Sequence, residues 1–388
     1  MAFLKPARRG TILACLALWS LSALFGCEGG SKPVDPKTRA EGLYVHGTAL
    51  YLQGKFDEAL KAFEQMKTIV PDDPRLPAAV GEVYLSQSKL REALEYFQTA
   101  AAKDPKRSTN WSRIGFIQAQ LGKNDEARSA LRKAIGLNPH DFNALEALGD
   151  VDLHEHKVRE AAKNYALAAE ASPRPDAQGQ LYVKAARVLE DAKDEAGAIQ
   201  VLEQGLAKGT QTADVQAELG ELYVRARRFD DALPVLIAAA QNNPVDPTLW
   251  QMVGELYLAK DKPGDAIAAF QQSLKVKDRA EVHGSLARIH KARGDTAAAA
   301  EELDKALQVA TGEEAESREL AKLLIDFGRK KDALKLLDAL AKEPEQKDDA
   351  ALQLKTAKLA KEVGDRQTME DACQRARSAP DAGVTRCP

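Results

Sequence analysis

Few residues in this 388-residue chain have the types and spacing that covalent or metal chemistry needs. His154, Glu155 and His156 form the densest group of metal-capable side chains. Histidines two apart point to different faces of a helix, so this group lacks the convergence that holds an ion. The chain contains no C-x-x-C, no H-E-x-x-H, no phosphate-cradling glycine loop and no nucleophile elbow. His46 and His290 fall where helices are expected to pack. The expectation is a chain with no catalytic centre, no metal and no cofactor. The remaining chemistry belongs to four cysteines. Cys15 lies in an apolar run near the N-terminus, and Cys27 follows that run. Cys373 and Cys387 enclose 13 residues near the C-terminus. In an oxidising compartment they can form a disulfide, adding on the order of 3 kcal/mol in the chain-entropy model. Two free thiols with a loose tail is the other reading.

The elements that carry these residues repeat. Gly47, Gly81, Gly115 and Gly149 recur every 34 residues, and Gly220 and Gly254 resume the beat. Alanines run twelve residues behind, at Ala59, Ala93, Ala127 and Ala161, then at Ala198, Ala232, Ala266, Ala299 and Ala333. Pro71, Pro105, Pro139, Pro173 and Pro244 mark unit ends. Within a unit, apolar residues fall at three- and four-residue steps, as in Ala93, Phe97 and Ala100, which is helical periodicity. A fixed period of this length marks a solenoid, in which each unit stacks on its neighbours.

Trp111-Ser112-Arg113-Ile114-Gly115 and Trp250-Gln251-Met252-Val253-Gly254 show how a unit begins. An alanine (Ala127, Ala266), a large apolar residue (Leu131, Phe270) and a small one (Ala134, Ser273) follow. This pattern resembles the tetratricopeptide repeat, two antiparallel helices per unit. The resemblance implies an all-α fold, a right-handed α-solenoid of about nine to ten helix-turn-helix repeats. The register runs 40–73, 74–107, 108–141 and 142–175, skips 176–178 as an insertion, and resumes at 179–212, 213–246, 247–279, 280–313 and 314–347. A divergent unit from 350 to about 380 reads as a cap, with a tail at 381–388. Repeats five, eight and nine carry Ala186, Ala287 and Ala321 in place of the glycine.

The N-terminus points to an export route. Lys5, Arg8 and Arg9 precede an apolar run from Thr11 to Phe25, too short for an ordinary membrane span and typical of a secretory signal. Leu24-Phe25-Gly26-Cys27 resembles a bacterial lipobox. That resemblance implies removal of residues 1–26, acylation of Cys27, and a lipidated flexible tether at 27–39, which is rich in glycine, serine and proline. An ordinary secretory signal with an incidental cysteine is the alternative. Glu28 replaces the aspartate that retains enterobacterial lipoproteins at the inner membrane, so the outer membrane, with the solenoid in the periplasm, is the expectation. Without residues 1–26 the chain keeps 52 basic against 58 acidic residues, a net charge of −6; no strong basic balance points to nucleic acid, and the expectation is protein partners and no nucleic acid.

By the same resemblance, the first helix of each repeat lines a concave groove. Its positions here grade from aromatic (Tyr44, Tyr51, Leu85, Phe116), through acidic (Glu146, Asp150, Glu255), to basic (Arg288, Lys291, Arg318, Lys322). Exposed aromatics suit binding hot spots, and opposed charge fields orient a partner. A purely solvated helical face is the bland alternative. The expected function is a scaffold that holds extended or helical protein segments and supports assembly of an envelope machine for pilus or secretion, polysaccharide export or motility. The other possibility is an adaptor of a periplasmic peptidase or cell-wall enzyme.

Overall fold

The computed structural model describes residues 35–379 except Lys347. The expected signal, Cys27, most of the tether and Cys387 lie outside the described residues. All regular structure among the described residues is α-helical, and no described helix is long and apolar enough to cross a membrane.

Two compact units follow one another, the first ending at Gln211 and the second beginning at Thr212. The first unit holds five antiparallel pairs: α1 (Pro36–Leu52) with α2 (Phe56–Ile69), α3 (Leu76–Ser86) with α4 (Leu90–Lys103), α5 (Ser108–Gln120) with α6 (Asn124–Leu137), α7 (Phe142–His154) with α8 (Val158–Ala171), and α9 (Pro175–Asp191) with α10 (Glu195–Ala207). The second also holds five: α11 (Ala213–Arg225) with α12 (Phe229–Asn242), α13 (Pro247–Ala259) with α14 (Pro263–Val276), α15 (Ala280–Ala292) with α16 (Thr296–Val309), α17 (Glu314–Asp326) with α18 (Lys330–Lys342), and α19 (Ala350–Val363) with α20 (Arg366–Ser378). Each unit is thus a stack of helix pairs, the α-solenoid expected from the period. The insertion at 176–178 is absorbed as an extra turn, because Pro175 opens a 17-residue α9 where most first helices have 13.

The periodic glycines lie where two helices nearly touch. A Cβ on Gly47 would stand 2.6 Å from the Phe63 ring, one on Gly149 2.6 Å from Tyr165, and one on Gly254 2.7 Å from Phe270. The opposing side chains are fully or nearly buried, as are Ala59, Ala93, Ala127 and Ala161 beside them. Repeat five reverses the arrangement. Its first helix supplies the large residue, Tyr182, and its second helix the small one, Gly205, whose Cβ would lie 2.9 Å from the ring. Ala186 therefore replaces a glycine whose close contact has moved elsewhere in the pair.

A second beat closes the first helix of every repeat. Gly54, Ser88, Gly122, His156, Lys193, Arg227, Asp261, Gly294, Gly328 and Gly364 all have left-handed φ, from 55° to 82°. The next residue's N–H reaches back five positions, as in Lys55 to the Leu50 carbonyl (3.0 Å) and Arg329 to Leu324 (2.7 Å). This is the Schellman closure, which satisfies the helix's last carbonyls. In α20, Ala372, Cys373 and Ala376 are buried, and Arg366, Glu370, Gln374 and Arg377 are exposed, as a cap requires. Cys373 is disulfide-bonded, and Cys387, its expected partner, lies outside the described residues.

Candidate partner-binding surfaces

In the first unit the expected aromatic end is built but largely occupied. Tyr44 is half-buried against Phe63, ring centroids 6.1 Å apart, and the Arg75 guanidinium covers it at 4.5 Å. Arg75 is itself fixed by Glu41 (2.8 Å) and Asp73 (2.9 Å). Hydrogen bonds from Arg75 hold both carboxyls below the usual carboxylate range. Tyr51 leans on Phe56 at 6.2 Å, and its hydroxyl accepts from Ser86 Oγ at 3.2 Å. Leu85 and Phe116 are half-buried between adjacent repeats. Trp111 is a structural residue: its Nε1 donates to the Pro105 carbonyl at 3.0 Å, and Lys133 covers its ring at 3.5 Å. Leu52, at the end of α1, is 75% exposed.

The acidic stretch of this unit is partly neutralised from within. Lys184 bridges Asp150 (2.7 Å) and Glu146 (3.2 Å) and lies 4.3 Å over the Tyr165 ring. The Tyr165 hydroxyl donates to Asp150 at 2.8 Å; burial, then that carboxylate, pushes the phenol far above its ordinary range. The His154-Glu155-His156 group disperses. His154 contacts Asn124 at 3.2 Å, Glu155 pairs with Arg128 and Lys157 at 2.7 Å each, and His156 occupies the left-handed turn. Arg128 also pairs with the buried Asp152, which accepts from Asn164 at 2.7 Å. Among the described residues no group of three or more histidine, cysteine or acidic side chains is placed to hold a metal.

The second unit differs most from expectation. Arg318 is not available as a free cation: it is clamped between Glu314 (2.8 Å) and Asp349 (2.5 Å), tying α17 to the N-cap of α19. Lys291 donates to the Asp326 carbonyl at 2.8 Å and covers the Phe327 ring at 4.1 Å. Lys322 stays 66% exposed, 3.9 Å from Glu319. Arg288 is exposed and makes no ion pair among the described residues. It lines a cleft of about 280 Å³ across α13, α15 and α17. The walls include Glu255, Glu281, Glu316 and Glu319, and the floor is Ala280, Gly284, Leu320 and Leu323. The expected basic end therefore opens onto a mainly anionic cleft. The reading by position missed this because it could not see which cations neighbouring helices consume. A second cleft of about 260 Å³, over α11, the start of α12 and α13, is lined by Val224, Phe229, Met252, Leu256 and Ala259, with Glu221, Arg225 and Glu255 also in its lining.

Buried His283 fixes α15 to its surroundings through Glu302 on Nδ1 (2.5 Å) and Asp278 on Nε2 (2.7 Å). Burial alone would raise the Glu302 carboxyl, but His283 and Lys305 outweigh it and hold it below its usual range.

Family models described as tetratricopeptide repeat match residues 50–115, 108–141, 217–280 and 252–315. The peroxisomal targeting signal receptor of Komagataella phaffii is 25% identical over 239 residues, covering 56% of this chain and 38% of the receptor. That of Yarrowia lipolytica is 27% identical over 222 residues, covering 54% and 35%. The chain thus spans little more than a third of these relatives' lengths. Among solved structures, the C-terminal part of a repeat protein from Cytophaga hutchinsonii matches with a TM-score of 0.46 and 16% identity, over 61% of this chain and 96% of that one.

Proposed function

The chain belongs to the tetratricopeptide-repeat family, and on that premise we propose that it is a lipid-anchored scaffold, facing the periplasm, that holds protein partners on its first helices. The observation that carries the binding reading is the pair of clefts on α11, α13, α15 and α17, which open polar and apolar groups to a partner beside the buried core. Repeat units bury their small-against-large contacts inside each pair and leave such faces for other chains. The matched relatives are named as receptors for a targeting signal, a precedent for capture of a peptide segment. The anchor rests on the sequence around Cys27, and it suits a factor that assembles a pilus or secretion, export or motility complex.

The test is metabolic labelling with an alkyne fatty acid, followed by crosslinked affinity capture from solubilised envelopes. The wild type should take label and enrich subunits of one envelope complex, and Cys27→Ser should lose both. Label that persists in Cys27→Ser, or capture of cytoplasmic proteins alone, refutes the anchored reading.

A further inference from the structure

The two clefts of the second unit share Glu255 and so form one continuous surface along the first helices. Its ends differ in chemistry. Over α11, the start of α12 and α13 it is a mainly apolar socket of Val224, Phe229, Met252, Leu256 and Ala259, edged by Glu221 and Arg225. Over α13, α15 and α17 four carboxylates face a single guanidinium, Arg288. Two of the four are partly engaged: Glu281 with Arg279 at 2.6 Å, and Glu316 with the Thr311 N–H and hydroxyl at 2.6 and 2.7 Å. Among the described residues Glu319 meets Lys322 at 3.9 Å, and Glu255 accepts from Gln251 at 2.9 Å and makes no ion pair. Gln251, on the same wall, has an Oε1 that finds no donor among the described residues. An acceptor without a donor beside carboxylates that outnumber the cations around them is satisfied by a ligand that brings N–H groups and positive charge. Gly284 keeps the floor low, since a Cβ there would meet Leu323 at 3.0 Å.

We propose that this surface takes an extended peptide segment that seats an apolar side chain in the α11–α13 socket and a lysine or arginine in the α13–α17 cleft. This rests on the scaffold reading and specifies its partner. Neighbouring packed helices lie about 8–10 Å apart, and an extended chain advances about 3.3 Å per residue. The cleft is centred on α15, about one and a half such spacings from the socket, so the two side chains stand roughly four residues apart, on the same face of the extended segment. Arg288 sets the direction by repelling a cation at its end of the cleft and favouring an acidic residue or a chain carboxylate there.

The test is selection of a phage-displayed random nonapeptide library on the immobilised full chain, with parallel selections on Met252→Arg, Glu255→Lys and Glu319→Gln. Circular dichroism melts verify that each variant is folded. Wild type should enrich peptides with a basic residue about four positions from an apolar one. Synthetic peptides from that pool should bind Glu255→Lys at least about fivefold more weakly, the effect of losing an exposed charge pair and gaining a like charge. Glu319→Gln should weaken only peptides that carry the basic residue, and Met252→Arg only those with the apolar one. Enrichment of acidic peptides that lack a basic residue, enrichment that the folded variants leave unchanged, or no enrichment would each overturn the proposal. Envelope partners still captured by these variants would show that the scaffold reading stands and that its docking surface is elsewhere.

Discussion

Adding one methyl group at Gly254 separates a packing role for the periodic glycines from a helix-propensity role. In Gly254→Ala the new carbon would lie 2.7, 2.8 and 2.9 Å from three atoms of the Phe270 ring. Carbon contacts settle at about 3.5–4.0 Å, so the ring must retreat by roughly 0.8 Å. Phe270 is fully buried and packs with Ala266, Val282, Leu286 and Ile289, which leaves no free direction. Overpacking of this kind costs about 1–3 kcal/mol, against about 0.5–1 kcal/mol that alanine gains over glycine within a helix. The net expectation is a loss of about 0–2.5 kcal/mol, centred near 1. Gly136, in α6, meets nothing within 4 Å, so Gly136→Ala should stabilise by about 0.5–1 kcal/mol. Urea unfolding of the full chain by circular dichroism measures both. Hydrogen exchange of α13 and α14 then localises the first effect, because repeat arrays need not unfold in one step. Phe270→Leu in the Gly254→Ala background should recover about 1 kcal/mol relative to additivity. The reasoning fails if Gly254→Ala stabilises as Gly136→Ala does, or if the double variant is simply additive.

The left-handed turns give an opposite sign. Arg227→Gly should raise stability by about 1 kcal/mol in denaturant unfolding, because φ of 56° strains a side-chain-bearing residue. Arg128→Met leaves the carboxylate of Asp152, which is 3% exposed, without its cation. It should cost about 3–5 kcal/mol, and Asp152→Asn in the same background should restore part of that. Asp73 and Glu41 titrate below their usual range because of Arg75. Their contribution is therefore complete above the unfolded values near pH 4 and is lost as pH falls through the folded ones. Melting temperature should fall below about pH 4, and by less in Arg75→Met. Alkylation of exported protein without reductant should leave Cys373 and Cys387 unmodified by mass, and two added groups would refute their pairing.

The helix pairs were legible because each repeat writes its packing at fixed spacing: Gly81 against Phe97, Gly115 against Leu131. Repeat five was legible as a repeat, but its reversed contact was not, since Tyr182 and Gly205 stand at positions the pattern leaves open. The left-handed beat was only half visible, because five of its ten residues are not glycine. A search for glycine alone finds Gly54, Gly122, Gly294, Gly328 and Gly364 and passes over Ser88 and Lys193. The residues read as groove-lining do lie on first helices, but their availability depends on side chains about a repeat away. Asp349 takes up Arg318, Arg75 covers Tyr44, and nothing local to either residue announces it.

That difference in range bears on how such an array can change its length. The close contacts of the glycines stay within one repeat, so a duplicated or transplanted unit carries them along intact. The ion pairs do not: Glu41 to Arg75, Asp150 to Lys184 and Arg318 to Asp349 link residues 34, 34 and 31 apart. Excising one unit would leave a full complement of folded hairpins and sever the charges that tell each hairpin which neighbour it follows. The order of the units is thus written in a separate script from their shape, and a shuffled array would betray itself first by its salt sensitivity.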